Sequence, residues 1–209
     1  MLYNIVRMIF AGAVVCALLP ILRKTKLLTK WYKTGSKRKI PIVLIAAFLF
    51  VWQVMSFFPV ENMFLEFRTV GEAFRYNRIG RITMVVEGEQ SALVMYKTST
   101  SDAQTVYPKT ASGGYILDLY PQFSTSVVYI GECGIVVYKV DDCDDFYVRI
   151  VPTGGVTELN VVDNCNSEFR TNLGESNVSY TAYVENLEFG GYVLTIDDID
   201  YSLGAVLFN

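Results

Sequence analysis

The chain has 209 residues, of which 52% are hydrophobic and 19% charged, and its mean hydropathy is +0.31. This composition is too apolar for a disordered chain and predicts that part of the protein lies in lipid. The chain contains no histidine, which excludes a Ser-His-Asp or Cys-His catalytic centre and any zinc site with imidazole ligands. The formal net charge of −3 combines +9 up to Pro59 with −12 from Val60 onward, so two different environments are predicted.

The first apolar stretch covers about residues 2–22 and is interpreted as a retained transmembrane helix. We expect Arg7 to snorkel toward the near headgroups and Pro20 to kink the last turn. A secretory signal peptide is the alternative, but basic residues, and no small-residue cleavage site, follow the apolar core. Ala13 and Ala17 lie four residues apart, which predicts a face small enough to contact a second helix.

The second apolar stretch, residues 40–60, contains no charged residue. At about 1.5 Å per residue, a helix of this length covers the roughly 30 Å hydrocarbon core, so the sequence predicts a second transmembrane helix. Gln53 is its only strongly polar side chain, and we expect it to contact a neighbouring helix.

The connector between the two stretches, residues 23–39, carries eight positive charges and no negative charge. Short basic loops stay cytoplasmic, so residues 1–60 are predicted to form a membrane hairpin and residues 61–209 to lie outside the cytoplasm. This pattern is compatible with a multi-pass protein of a bacterial plasma membrane. Topology alone accounts for the charges, and binding to anionic lipid headgroups is the alternative. A nucleic-acid role is not expected, because both ends of the connector are held at the membrane. The residues predicted at the lipid interface are Arg23, Lys24, Lys26, Trp31, Tyr32, Lys37, Arg38 and Lys39.

Beyond Glu61 the pattern changes to short alternating segments rich in Val, Ile, Thr and Tyr, which is typical of strands. One short helix is predicted first, over Val70–Asn77, because Thr69 and Glu72 have the spacing of a capping box. The polar stretch Ser99–Ser112 is predicted to be a surface loop. The predicted strands are Ile82–Glu87, Ala92–Lys97, Tyr115–Tyr120, Ser126–Ile130, Ile135–Val140, Phe146–Val151, Val156–Val162, Ser179–Val184, Tyr192–Ile196 and Tyr201–Phe208.

The connections between these strands are too short for parallel crossovers, which need a dozen or more residues. The fold class predicted for the whole chain is therefore a membrane α-helical hairpin of two transmembrane helices, followed by a mostly antiparallel all-β domain. This domain would be a sandwich or a barrel with one short N-terminal helix.

Two acidic clusters lie at predicted strand ends. The first contains Asp141, Asp142, Asp144 and Asp145, and the second contains Asp197, Asp198 and Asp200. Clustered carboxylates could bind calcium, which takes six to eight oxygen ligands. Neither cluster has the EF-hand pattern, and Asp is common in turns because its side chain binds nearby backbone. Solvated turns are therefore the favoured interpretation, with calcium at the first cluster as the alternative; no other cofactor is expected.

Three cysteines lie outside the predicted helices, at Cys133, Cys143 and Cys165. Cys133 and Cys143 would lie at opposite ends of one strand, beyond disulfide reach. A Cys143–Cys165 disulfide is therefore the more plausible pairing, and no bridge at all is an equal alternative.

The function predicted from these features is the display of a non-catalytic extracytoplasmic β-domain that binds or supports a partner, such as an envelope protein or a glycan. One alternative is an extracytoplasmic hydrolase that cleaves carbohydrate with paired carboxylates. Another is an accessory subunit that docks in a larger membrane complex through its helix hairpin.

Overall fold

The structure is a computed structural model and describes residues 2–24, 39–55, 57, 59–118, 123–141, 143–153, 158–173, 178–185, 187 and 190–203. The chain divides into two compact units. The helical unit comprises Met1–Leu65 with Phe74–Arg78, and the β unit comprises Glu66–Ala73 with Ile79–Asn209. Mostly antiparallel β-sheet preceded by an N-terminal helix is therefore the confirmed part of the predicted fold class.

Two apolar helices contact each other in the helical unit: α1 (Leu2–Lys24) and α2 (Lys39–Met55). Within the described residues, α1 is the one helix whose length and composition would let it cross a membrane or serve as a signal sequence. The second helix is shorter than predicted, since it ends at Met55 and a 3-10 turn follows at Val60–Met63. Pro59 explains this end, because its ring has no N–H to donate to the carbonyl four residues earlier and would clash with it.

Helix α3 (Val70–Asn77) has the predicted boundaries. The Glu72 backbone N–H donates to Thr69 Oγ1 at 3.2 Å, as a capping box requires. The Glu72 carboxylate reaches back one residue further than in the standard motif and accepts from the Arg68 N–H at 3.1 Å. The Glu72 N–H is shared with the Thr69 carbonyl at 3.1 Å, and the bond from Arg68 fixes the chain just before the helix begins.

The β unit contains three sheets, and every strand pair among the described residues is antiparallel. The first sheet has the order β1-β2-β3, the second β4-β5-β6-β9-β8 and the third β11-β10-β7. The strands in chain order are β1 Arg81–Glu87, β2 Ser91–Lys97, β3 Asp102–Pro108, β4 Phe123–Ile130, β5 Cys133–Val140, β6 Phe146–Pro152, β7 Val161–Asp163, β8 Arg170–Leu173, β9 Val178–Val184, β10 Val193–Ile196 and β11 Ile199–Ser202.

Several strand predictions need correction. The stretch predicted as a polar loop, Ser99–Ser112, contains β3, and β8 was not predicted at all. Tyr115, the first residue of another predicted strand, forms isolated bridges with Phe67 and Lys109, so no strand begins there among the described residues, and residues 119–120 of this prediction lie outside them. The predicted strands beginning at 156 and 201 are reduced to β7 and β11. Residues 158–160 and 203 are described but lie outside these strands, and residues 156–157 and 204–208 lie outside the described part of the chain.

The five-stranded sheet lies between the other two sheets, because its strands bury side chains on both faces. On β6, Val148 and Ile150 belong to an apolar cluster with Leu194 of β10. Tyr147, on the opposite face, belongs to a cluster with Leu93 and other residues of the first sheet. Side chains of a strand alternate between its two faces, so a continuous run of buried residues identifies a central layer.

Candidate functional site

The first sheet and the five-stranded sheet are packed closely at one end, which we call the closed end. There Ser91, Asp145 and Tyr147 are almost fully buried. Ser91 Oγ donates to Asp145 Oδ2 at 2.6 Å and lies 2.8 Å from the Tyr147 hydroxyl, and the Gln90 N–H donates to the same carboxylate oxygen at 3.0 Å. Neutral donors thus provide the hydrogen bonds that the buried Asp145 carboxylate needs, as expected for a polar group that stabilises the fold.

A glycine makes room for this network. A Cβ on Gly88 would lie 2.5 Å from Asp145 Oδ2 and 2.8 Å from the Tyr147 hydroxyl, so no larger residue fits there without a shift. Beside it, Lys109 Nζ donates to the Gly88 carbonyl at 2.7 Å and lies 3.6 Å from the Glu87 carboxylate. A cavity of about 420 Å³ adjoins this end, but its cation, Lys109, is already paired within the protein.

At the opposite end the same two sheets separate around a cavity of about 500 Å³, which we call the inter-sheet cleft. Strand register explains its position, because the start of β1, the end of β2 and the start of β3 meet at one edge of the first sheet. The residues that line it are Arg81, Ile82, Thr83, Met95, Tyr96, Lys97, Asp102, Ala103, Gln104, Arg149, Val151, Thr171, Asn172, Leu173 and Ser179.

Arg149 lies on β6 two residues after Tyr147 and therefore on the same face of the sheet. It is partly buried, and its Nε, which is buried, has no hydrogen-bond partner in the part of the chain that the structure describes. Leaving a buried donor unpaired costs roughly 1–3 kcal/mol, and more for a charged group. The two ends of the interface between these sheets thus differ. Ser91, Asp145 and Tyr147 are hydrogen-bonded to one another at the closed end, whereas at the cleft Arg149 keeps a buried donor that is unpaired among the described residues.

One hydrogen bond and one close approach between strands hold the walls of the cleft. Asn172 Nδ2 lies 3.4 Å from Thr83 Oγ1 and joins β8 to β1 across the two sheets. At the rim, a Cβ on Gly80 would lie 2.6 Å from the Lys97 carbonyl, and Gly80 has φ +151°, so only glycine lets β1 begin this close to β2. The cleft is therefore formed by fixed strands.

The helical unit contains a buried ion pair. Arg7 Nε donates to Glu61 Oε1 at 2.8 Å and Arg7 Nη2 donates to Oε2 at 3.1 Å, and both side chains are buried. Arg7 Nη1 also donates to the Met55 carbonyl at 2.6 Å, the group that Pro59 leaves without a helical partner. The guanidinium carbon lies 4.3 Å from the centre of the Tyr3 ring. The interpretation of Arg7 as a snorkelling residue is thus replaced by a buried bidentate pair.

The helix contacts predicted at Ala13, Ala17 and Gln53 stay predictions, and the structure gives the exposure of these side chains. Ala13, Ala17 and Gln53 are all exposed, whereas Arg7 and Ala11, four residues apart, are the buried side chains of α1 among those described. Of the predicted lipid-interface residues, Lys24 is exposed and Lys39 begins α2. Arg23 is the penultimate residue of α1. The other interface residues, Lys26, Trp31, Tyr32, Lys37 and Arg38, lie outside the described residues.

The first acidic cluster is divided among separate contacts. Asp145 is bound in the closed end, and Asp141 Oδ1 accepts from the Ser124 N–H and hydroxyl at 3.2 and 2.9 Å. Asp144 is exposed, and Asp142 lies outside the described residues. Among the described residues, no group of three or more Cys, Asp or Glu side chains is arranged to hold a metal ion. Calcium at this cluster remains a prediction from the sequence.

None of the four cysteines forms a disulfide, so the structure contains no Cys143–Cys165 bridge. Burial is the main cause that raises the pKa of the Cys133 and Cys143 thiols. A raised pKa lowers the thiolate fraction at neutral pH, which opposes a nucleophilic role.

The cleft residues were not predicted as a site. Several of them lie on β3 and β8, the two strands that the hydropathy pattern does not predict. The sequence contains one feature that could have indicated this cleft, which is the positive charge of Arg81, Lys97 and Arg149 within an otherwise acidic segment.

Comparison with models of protein families, with curated proteins and with solved structures gives no match for this chain. The fold and the site define it as an antiparallel β protein with an apolar N-terminal helix and a cationic cleft between two sheets.

Proposed function

We propose that this chain is a two-pass membrane protein in which α1 and α2 form the hairpin. It displays its β unit outside the cytoplasm, and this unit binds a partner in the inter-sheet cleft without catalysing a reaction. The contact between the start of α1 and the end of α2 is the observation that carries the proposal.

Arg7 lies near the start of α1, and Met55 is the last residue of α2. Their hydrogen bond places these two ends together, so the basic connector, residues 23–39, joins the opposite ends of the two helices. A basic connector that stays in the cytoplasm would leave Glu61 and all that follows on the other side of the bilayer.

Both helices expose large apolar side chains, which supports a lipid environment for each. Ile9 of α1 is 68% exposed, and Ile42, Leu49 and Phe50 of α2 are exposed to a similar extent. Apolar side chains exposed in this number on helices normally face lipid or a partner protein. With only 17 residues, α2 covers about 26 Å at 1.5 Å per residue, which would require slight local thinning of the bilayer.

A binding role, and not a catalytic one, is supported by the chemistry of the β unit. The buried Asp145 is held by Ser91 and Gln90, and burial raises the pKa of the Cys143 thiol. The cleft, in contrast, offers cations and neutral hydrogen-bonding groups on fixed strands, which is a suitable lining for a polar ligand.

The natural cysteines provide the test of the topology. Cys165 is exposed and Cys133 is buried. A membrane-impermeant maleimide added to intact cells should label the wild-type protein, and Cys165→Ser should lose most of the label. In the Cys165→Ser background, Ser36→Cys in the connector should be labelled only after the membrane is permeabilised. Labelling of the connector, but not of Cys165, in intact cells would overturn the proposed orientation.

A further inference from the structure

The inter-sheet cleft concentrates positive charge in an acidic part of the chain. Residues 60–209 contain 9 Lys and Arg against 21 Asp and Glu. Among the described residues, three of these cations line the cleft, at Arg81, Lys97 and Arg149, and Asp102 is the one carboxylate that lines it. Cations gathered on the walls of one concave site attract an anionic ligand against the net charge of the surrounding protein.

One of these three cations, Arg149, is held at a fixed position on the central strand β6. Its buried Nε has no hydrogen-bond partner among the described residues, and the strands that flank β6 hold its backbone on both sides. A guanidinium is always protonated and presents donors in a planar fork that matches a carboxylate. Arg149 also lines the cleft, so a carboxylate bound against its guanidinium would offset the cost of a partly buried cation that the protein leaves incompletely paired.

The remaining lining groups are neutral and suit a ligand with hydroxyl groups. Gln104 and Asn172 provide side-chain amides, Thr171 provides a hydroxyl, and Tyr96 provides an aromatic ring. A polyphosphate ligand needs cations alone, whereas an acidic saccharide needs cations for its carboxylates and amide or hydroxyl partners for its sugar hydroxyls, and the cleft provides both.

We propose that the inter-sheet cleft binds an acidic saccharide, with a carboxylate against Arg149 and sugar hydroxyls against Asn172 and Gln104. This inference rests on the proposed function, because it names the ligand of the same cleft and requires that the cleft face the outside of the cell.

The test uses the full chain in nanodiscs and two probes of equal length, tetragalacturonate and maltotetraose, titrated by calorimetry. We expect tetragalacturonate to bind and maltotetraose to bind at least 10-fold more weakly. Arg149→Gln should weaken tetragalacturonate binding by about 10- to 100-fold, the range for loss of a charged hydrogen bond. Arg149→Lys should restore part of this loss, since it keeps the charge without the fork.

A matched pair of lysine variants separates the cleft from the general charge of the protein. Lys97→Gln removes one charge from the cleft, and Lys139→Gln removes one charge from a residue that lies over the Phe146 ring instead. We expect Lys97→Gln to weaken binding by about 3- to 10-fold, and Lys139→Gln to leave it unchanged. If Arg149→Gln fails to fold, the two lysine variants still test whether the cleft is the binding site.

The outcomes are distinct. Equal affinity for the two tetrasaccharides would overturn the acidic ligand and leave the binding function standing. Equal weakening by Lys97→Gln and Lys139→Gln would show non-specific attraction and overturn the cleft as the site. Absence of binding to either probe would overturn the saccharide. Maleimide labelling tests the orientation independently of these titrations.

Discussion

The two units of the molecule each contain a carboxylate that is almost completely buried, and they stabilise it by different means. Glu61 in the helical unit is bound by the Arg7 cation through two hydrogen bonds. Asp145 in the β unit is bound by the neutral hydroxyl of Ser91 and the N–H of Gln90. Removal of Glu61 would therefore leave a buried charge, whereas removal of Asp145 would leave only buried dipoles. The difference predicts which unit tolerates the loss of its acid better.

Glu61→Gln should cause the larger loss. The substitution keeps the shape of the side chain but leaves the Arg7 guanidinium buried and uncompensated, at a cost of about 3–5 kcal/mol. Thermal unfolding of the full chain in nanodiscs, followed by circular dichroism at 222 nm, would show a lower midpoint for the helical signal.

The double variant Arg7→Met with Glu61→Met is the control for this prediction. Replacing a buried ion pair by apolar side chains of similar volume is often neutral or stabilising, so much of the midpoint should return. A double variant as unstable as Glu61→Gln would indicate that the pair acts through its geometry, including the Arg7 bond to the Met55 carbonyl.

Asp145→Ala should have the next largest effect. It leaves the Ser91 hydroxyl and the Gln90 N–H without their acceptor inside the closed end, at a cost of about 2–3 kcal/mol. Asp141→Ala is the matched control, because Asp141 also accepts two hydrogen bonds but is exposed. Water can replace the lost carboxylate as the acceptor, so we expect this substitution to cost less than about 1 kcal/mol. Urea unfolding followed by tyrosine fluorescence would compare the two. Similar losses would mean that burial does not distinguish these two acids.

Much of the β unit could be predicted from the sequence, because apolar residues in its central strands either alternate with polar residues or form continuous runs. Helix α3 was predicted with its boundaries, since Thr69 and Glu72 provide local capping groups. The strands that were missed, β3 and β8, are those that line the cleft with polar side chains such as Asp102, Gln104 and Asn172. In β3 and β8 the polar residues at the cleft interrupt the apolar alternation, so hydropathy assigns these strands to loops, whereas β1 and β2 border the same cleft and keep enough apolar residues to be predicted.

The buried pair of the helical unit was missed for a different reason. Arg7 and Glu61 lie 54 residues apart, and a basic residue near the end of an apolar stretch is normally explained by the headgroups alone. The sequence does contain one signal, which is Pro59. A proline four residues after Met55 leaves that carbonyl without its helical donor, and this predicts a donor from elsewhere in the chain.

The smallest expected effect depends on pH and concerns a neighbour of Asp145. Burial, and then the negative charge of Asp145, raises the pKa of Tyr183 to about 12. In the unfolded chain a tyrosine titrates near pH 10, so between about pH 10 and 12 the folded state holds a proton that the unfolded state has lost. The contribution of Tyr183 to stability is therefore complete below pH 10 and is lost as the pH rises toward 12.

Tyr183→Phe should accordingly reduce the fall in stability between pH 10 and 12 while leaving the slope below pH 9 unchanged. The fall should not vanish, because burial also raises the pKa of Tyr115 to about 12, with the Glu87 charge as the next cause. Tyr129→Phe, at a side chain that is 78% exposed, is the control and should follow the wild-type curve. Urea midpoints measured at several pH values would compare the three proteins. A Tyr183→Phe curve that coincides with wild type would show that the Asp145 network does not extend to this phenol, and that the closed end is confined to Ser91, Asp145 and Tyr147.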